Sequence, residues 1–282
     1  MWALNIKTIS MAVLTTISLS FGVIELYSMF ADLSENWSWI ILSIFYSALI
    51  YDMFNHIIIS HRYIDYDTNR WVYKLLVFLG TVGPNSGPLI NFGMMHDIHH
   101  RHSDQNEYDP VSIKLHWYTT LCLSPLMYVF RPKQSEIPDI KNWYQRQSVQ
   151  QQDLINDPWT DFCDEYAISL CLITWTILFF LMPMVLFKMI FVARLWASIF
   201  SGVLQYTGHT NFWFNYRNFN TKDLSQNNII LYYLGLGCWP TVLHNNHHGD
   251  FSKKYRWFEC GPERLFLNYL LPPLLAKRPP HK

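Results

Sequence analysis

Histidines dominate the residues of this chain that could do chemistry. Nine of the twelve fall into a pair with the spacing H-x4-H, two groups with the spacing H-x2-H-H, and one isolated residue. Imidazole is a good ligand for iron, copper, zinc and nickel, so these groups are candidate metal sites. The candidate ligands are His56, His61, His96, His99, His100, His209, His244, His247 and His248.

The spacing within each H-x2-H-H group is typical of ligands on one helix face. Positions i, i+3 and i+4 are neighbours on a helix surface, so each group can offer three imidazoles from a rigid backbone. His56 and His61 lie about 140° apart around an ideal α-helix. We therefore expect either that these two serve different metals or that the helix breaks between them.

The number of candidate ligands is larger than a structural zinc site uses. Nine imidazoles exceed the four ligands that such a zinc requires, and two metals with four or five ligands each would use them. The five cysteines show no metal-like spacing, and an odd, scattered set fits a reducing compartment better than a disulfide framework. An all-nitrogen site suits redox iron and dioxygen. A single group with this spacing more often consists of histidines that are packed in the interior or lie at an interface, but the combined set favours metal binding. His102, His116 and His281 fall outside this set.

Long apolar segments must position these histidines. The chain is 50% hydrophobic and 15% charged, against roughly 25% charged in a soluble domain. A membrane-crossing helix needs about 20 apolar residues, and four segments qualify. A signal peptide is a poorer interpretation of the first, because it is long and no A-x-A-like site follows. The predicted spans are residues 8–30, 38–60, 166–187 and 189–208.

Other apolar runs are not expected to cross the membrane. Residues 75–95 are interrupted by glycine and proline, and residues 115–130 and 229–243 are too short. We expect these runs to lie at the membrane interface or to pack in a cap.

Lysine and arginine are concentrated in residues 61–165 and 209–282, whereas the turn between the last two spans has only Lys188. By the positive-inside rule, both long segments face the cytoplasm. We expect an all-α integral membrane protein in which residues 1–282 form one domain: four transmembrane helices in two hairpins, with a cytoplasmic helical cap holding the metals. The formal net charge of zero gives no indication of a nucleic-acid partner.

With these features combined, the sequence resembles the membrane fatty acyl desaturase family, in its delta-9, stearoyl-CoA-desaturase-like branch. That branch has H-x4-H, H-x2-H-H and H-x2-H-H in this order, whereas the delta-12 branch usually has H-x3-H first. Flanking stretches agree. They are His102-Ser-Asp104 with Asp109-Pro110, Asp153-Leu154 with Asp157-Pro158, and Arg256-Trp257-Phe258-Glu259.

The resemblance implies a stem of four membrane helices and a cap in which the nine histidines hold two iron ions. It implies dioxygen-dependent desaturation of a saturated fatty acyl chain, giving a cis double bond. Gln205 stands where the branch has an asparagine that holds a metal-bound water. Acidic residues that orient metal-bound imidazoles are also expected, and the candidates are Asp52, Asp97 and Asp104.

The sequence departs from the family pattern at a few positions. Ile57 and Asp97 replace residues that usually follow the first histidine of the first two groups, and Pro240-Thr241 replaces a Gly-Glu pair. No ligand is lost, although a catalytically inactive homologue remains one interpretation.

The resemblance also implies partners. No haem, flavin or nicotinamide motif is visible, so a separate ferredoxin or cytochrome is expected to deliver electrons to the cap. The acyl carrier could be CoA, a carrier protein or a membrane phospholipid, with Arg131 and Lys133 as candidate phosphate contacts. Residues 40–49 and 195–204 are candidates for the floor of an acyl tunnel. The expected location is a bacterial plasma membrane or the endoplasmic reticulum, with the active site on the cytoplasmic side.

Two alternatives stay open. A related di-iron hydroxylase or other lipid oxygenase would share the ligand set. A non-catalytic metal-binding membrane protein or transporter is less favoured, because a transporter places its ligands near the bilayer midplane, whereas these groups lie at or beyond the ends of the predicted spans.

Overall fold

The computed structural model describes residues 6–83, 89–105, 109, 152–250 and 256–277, and elements are numbered over these ranges. The chain opens with α1 (Ile6–Ala31) and α2 (Leu33–Ser47), and α2 continues directly into a π-helix (Ala48–Ser60). The longer helices that follow are α3 (Trp71–Val82), α4 (Leu89–His102), α6 (Pro158–Glu165), α7 (Ala167–Leu181) and α8 (Met184–Gly208). The shorter elements are α5 (Gln152–Ile155), β1 (Asn215–Tyr216), β2 (Asn227–Asn228), α9 (Ile229–Leu234), a 3-10 turn (Pro240–Val242), α10 (His244–His248), α11 (Glu263–Leu265), a second π-helix (Phe266–Leu270) and α12 (Pro272–Leu275).

Three of the described helical stretches are long and apolar enough to cross a membrane, namely Ile9–Ala31, Leu33–Ser60 and Met184–Gly208. A fourth crossing is reached only if α6 and α7, which meet at a bend of 77°, count as one span. These helices fit an integral membrane protein.

The predicted turn before the last span was wrong. α7 ends at Leu181 and α8 begins at Met184, so Lys188 lies inside α8 and not in the turn. The cause is Pro183, which precedes α8 and disfavours a helical conformation for the residue before it. Met182 accordingly has an extended backbone with ψ of 152°.

α3 and α4 occupy the apolar run that was predicted not to cross. The end of α3 is held by two side chains of α7. Cys171 Sγ donates to the Thr81 carbonyl at 3.2 Å, and Trp175 Nε1 donates to the Val82 carbonyl at 2.7 Å. The start of α4 is held by Asp164, whose carboxylate accepts from the first two amides of that helix, each at 2.8 Å. These contacts fix the orientation of α4, which carries His96, His99 and His100.

A polar network positions the last histidine group. β1 and β2 pair antiparallel, and α10 packs beside β2. The Asn245 side-chain oxygen accepts from two backbone amides in the loop after β1, each at 2.7 Å. The Asn246 amide donates to the Asn227 side chain at 3.0 Å. Asn245 and Asn246 therefore anchor α10 on the face away from its histidines.

Candidate metal centre

All nine candidate histidines come together, although they originate from four separate parts of the chain. His56 and His61 lie at the end of the π-helix, three lie on α4, His209 follows α8, and the last three are on α10. All but His61, His100 and His248 are buried. The ligand atoms of the nine form two sets of four, and a third, overlapping set joins them.

The first set is defined by His56, His61, His96 and His247, whose ligand nitrogens all lie within 4.8 Å of one another. The Nε2 atom of His96 is 2.9 Å from Nε2 of His56 and 2.7 Å from Nε2 of His61. We call this the first histidine set.

The π-helix explains how His56 and His61 enter the same set, contrary to the sequence expectation. Bonds in a π-helix run between residues five apart, so such residues lie one turn apart. The His61 amide accordingly donates to the His56 carbonyl at 3.3 Å. That expectation assumed an α-helix, whereas the observed π-helix ends at Ser60 and has His61 as its capping residue, which brings the two rings into one set.

The second histidine set consists of His99, His209, His244 and His248, again with ligand nitrogens within 4.8 Å of one another. Nε2 of His209 and Nε2 of His244 are 2.8 Å apart. The three histidines of α4 are therefore divided, because His96 belongs to the first set and His99 to the second.

His100 connects the two sets. It forms the overlapping group with His247 and His248, and its Nε2 atom lies 3.0 Å from Nε2 of both His96 and His247. Its ring also stacks on that of His248, with centroids 4.1 Å apart. The two sets are therefore adjacent, as the two metals of one centre would be.

Carboxylates lie behind several of the rings. Asp52 is 3.1 Å from Nδ1 of His56, and Asp104 is 3.2 Å from Nδ1 of His209. Asp97, the third acid proposed from the sequence, instead pairs with Arg101 at 2.9 Å. It is one helical turn away from Arg101, and this position directs it along the α4 surface.

Two further acids were not proposed as ring partners. Asp109 is 2.9 Å from Nδ1 of His99, and Asp223 is 2.8 Å from Nδ1 of His248. Asp109 was noted only as part of a flanking motif. Asp223 lies in the loop between β1 and β2, where the sequence carries no motif to indicate it.

Thr241 contacts the second set directly and the first set through Asp52. Its hydroxyl donates to Asp52 Oδ1 at 2.6 Å and its amide donates to Asp52 Oδ2 at 3.2 Å, and Asp52 in turn faces His56. Its carbonyl lies 3.3 Å from Nδ1 of His244. Pro240-Thr241, the pair at which the sequence departs from the family pattern, therefore lies directly behind the histidines.

Gln205 is buried and lines a small cavity between the two sets, together with His56, His96 and His244. The cavity measures about 10 Å³, close to the space that a single water needs. Tyr51 and Ser201, which hydrogen-bond at 3.0 Å, form part of its wall. This position is compatible with the water-holding role expected of Gln205.

The second set has the electronic arrangement that a metal requires. An acceptor at Nδ1 fixes the ring proton there and leaves the lone pair on Nε2. His209 faces Asp104 and His244 faces the Thr241 carbonyl, so both Nε2 atoms carry lone pairs, yet they point at each other across 2.8 Å. The Nε2 atoms of His99 and His248 are also buried without a hydrogen-bond partner among the described residues. A cation between these nitrogens would satisfy all four, so the residues fit a metal ion.

For six of the nine rings the shift in pKa favours the neutral form, which is the form that binds metal. Burial, followed by the charges of neighbouring imidazoles, lowers the pKa of His61 to about 3. The same causes hold other pKa values well below the usual range, namely those of His96, His100, His244, His247 and His248. For His99, burial also disfavours the charged ring, but the facing Asp109 carboxylate contributes to a net rise of the pKa.

The remaining sequence candidates lie elsewhere. His102 is outside both sets, with its Nδ1 atom 3.4 Å from Gln105. His116, His281, Arg131 and Lys133 lie outside the described residues.

No protein-family model matches the chain, and a search of the curated proteins returns no match.

Proposed function

We propose that this protein is a membrane-bound di-iron oxidoreductase that uses dioxygen to introduce a cis double bond into a saturated fatty acyl chain. The observation that carries the proposal is the convergence of nine imidazoles into two adjacent sets, with a carboxylate behind one ring of the first set and behind three rings of the second. The resemblance of the histidine spacing to membrane fatty acyl desaturases supports the same conclusion.

The first set and the second set would each hold one iron, and His100 lies between them. Gln205 would hold a water on one of the metals from its place in the small cavity. When bound, the iron pair supplies the oxidant that an unactivated C–H bond requires, since no side-chain acid, base or nucleophile can attack such a bond.

The chain's own residues bind, orient and shield. Asp52, Asp104, Asp109 and Asp223 hold ring protons at Nδ1 and so direct Nε2 of each partner ring inward. Such outer contacts raise the basicity of ligands and fix their orientation. The protein must also position one methylene among many similar ones, which is a matter of geometry.

The small cavity is where an acyl chain would have to approach. Besides the histidines, its wall contains Tyr51 of the π-helix, Leu204 of α8 and Trp239. Its small volume excludes bulk water, and a tunnel floor formed by residues 40–49 and 195–204 would continue from it. A separate ferredoxin or cytochrome would supply electrons from the cytoplasm, where the basic cap is proposed to lie.

Expression in a host that lacks its own desaturase, with an electron donor supplied, tests the proposal. Fatty-acid profiling is expected to show a new monounsaturated chain, and its double-bond position gives the regiospecificity. Hydroxylated chains without alkenes would assign the protein to the related di-iron hydroxylases. Unchanged lipids in a well-expressed, iron-loaded sample would contradict the proposal.

Replacement of His96 or His247 by alanine separates metal chemistry from expression effects. Both rings belong to the first histidine set, so each change is expected to abolish product and to reduce bound iron. His102→Ala is the matched control, because His102 lies on the same helix as His96 but outside both sets. Full activity of the His96→Ala protein would remove that residue from the site.

A further inference from the structure

A groove of about 560 Å³ opens between α1, α7 and α8, far from the histidines. Each helix contributes one face to it, with lining residues three and four positions apart. Aromatic rings form much of the wall, among them Phe21, Trp175, Phe179 and Phe191. Phe21 and Phe179 are about half exposed, at 52% and 47%, so the groove has apolar surface that no described residue covers.

Two charged side chains stand in this apolar lining. The Lys188 ammonium lies 2.6 Å from the Glu25 carboxylate, and their side chains are 32% and 19% exposed. Near the ends of spanning helices, charged side chains reach toward the membrane interface, where lipid head groups lie. The groove therefore has one polar position and a long apolar wall, which is the pattern of an amphiphile.

The position of the ion pair places it at the opposite membrane surface from the histidines. Lys188 is one turn from the start of α8, whereas His209 follows its end. At about 1.5 Å per residue these positions are separated by about 30 Å, the thickness of a hydrocarbon core. The apolar wall then runs from the ion pair toward the middle of the bilayer, as a lipid acyl chain does.

We infer that this groove binds one zwitterionic phospholipid, with an acyl chain along the aromatic wall and the head group at Glu25 and Lys188. The phosphate would meet the Lys188 ammonium, and the amine or quaternary nitrogen would meet the Glu25 carboxylate. The pair has no net charge. An anionic head group would be attracted by the Lys188 ammonium, but it would carry no positive charge to interact with the Glu25 carboxylate. The site is independent of the proposed catalytic function.

Photo-crosslinking tests where the acyl chain of the bound lipid lies. The protein is reconstituted in nanodiscs with phosphatidylcholine that carries a diazirine in its acyl chain, and modified peptides are identified by mass spectrometry. Crosslinks are expected on the groove face of α7, at Leu172, Thr176 and Phe179. Equal labelling of Ile173, Ile177 and Phe180, which are exposed on the rest of α7, would indicate ordinary surrounding lipid and overturn the inference.

Filling the groove provides a second test of occupancy. Thr176→Phe adds a ring inside it and is expected to reduce crosslinking several-fold. Ile177→Phe places the same ring one residue away on the outer surface of α7 and is the matched control. Equal crosslinking of the two variants would contradict the proposed position.

Head-group selectivity tests the ion pair. In nanodiscs of mixed phosphatidylcholine and phosphatidylglycerol, lipid that copurifies after mild delipidation is expected to be enriched several-fold in phosphatidylcholine. Glu25→Gln leaves a lone cation and is expected to shift the preference to phosphatidylglycerol, whereas Lys188→Met is expected to weaken retention of both lipids. Lys7→Met removes a second ion pair of the same length, Lys7–Glu165, outside the groove and is expected to change nothing. Unaltered selectivity in Glu25→Gln would overturn the assignment.

Discussion

At the scale of single residues, the orientation of each imidazole depends on what faces its second nitrogen. His56, His99, His209 and His248 face carboxylates, and His244 faces a backbone carbonyl. The ligand types and their spacing were readable from the sequence. The roles of Asp109 and Asp223 as ring partners were not readable from the sequence. These two residues lie in loops, and a loop has no sequence periodicity from which its conformation could be predicted.

Thr241 offers a sharp test of such a partner. Thr241→Val keeps the volume but removes the hydroxyl that donates to Asp52 at 2.6 Å, while the amide contact remains. We expect metal affinity of the first histidine set to fall about 10-fold, at the lower end of the range for outer-contact changes. Equilibrium dialysis with Co²⁺ or Fe²⁺ measures this directly.

Thr241→Ser is the matched control, because it keeps the hydroxyl and is expected to bind metal like the original protein. The second set is expected to be unchanged in both variants, because His244 uses the backbone carbonyl of residue 241. Wild-type affinity in Thr241→Val would show that Asp52 is held by its other contacts.

At the scale of elements, three of the four predicted spans fall on helices that are long and apolar enough to cross a membrane, but hydropathy did not give the helix ends. The first predicted span, 8–30, nearly coincides with α1, whereas α2 begins at Leu33, five residues earlier than predicted, because helix geometry tolerates polar residues at an exposed end. α7 ends at Leu181, six residues earlier than predicted, because a mean hydropathy over many residues does not register the single Pro183 that follows. The π-helix could not be predicted either, since apolar patterning alone does not distinguish helix widths over so few turns.

Two glycines test how closely the elements pack. A Cβ at Gly208, at the end of α8, would lie 2.7 Å from the His244 ring, and a Cβ at Gly22 would lie 2.6 Å from the Phe191 carbonyl oxygen. Such overpacking typically costs about 1–3 kcal/mol, so both alanine variants are expected to unfold at lower temperature.

Only Gly208→Ala is expected to displace a ligand. We expect it to lose about half of the bound metal, that of the second set, while Gly22→Ala keeps the full amount. Metal analysis of the two purified proteins checks this. Full metal content in Gly208→Ala would mean that the His244 ring has room to move without leaving the centre.

At the scale of the whole molecule, the histidine sets join elements that are distant in sequence. The π-helix, α4, the end of α8 and α10 meet there, and ring nitrogens of different elements lie 2.7–3.0 Å apart. Metal binding is expected to contribute directly to folding stability, because the ligands are dispersed in the unfolded chain.

Removal of the metal is therefore expected to destabilise the elements that carry the histidines and to leave the spanning helices folded. Treatment with a chelator is expected to increase hydrogen exchange in α4 and α10 while α1 exchanges as before. Mass spectrometry of exchanged peptides measures this, and addition of Fe²⁺ is expected to reverse it. Unchanged protection of α4 and α10 after complete metal removal would contradict a structural role for the metal.

The π-helix changes how the spacing of the first histidine pair is to be interpreted. Four intervening residues in a π-helix and three in an α-helix have the same result, because each places the two rings one turn apart on the same side. A homologue that lacked one residue between Ile57 and Ser60, with this segment rewound as an α-helix, would present an equivalent pair of ligands. The number of residues between these histidines then reports the local width of the helix, and two lineages that differ by one residue there can share a single coordination geometry.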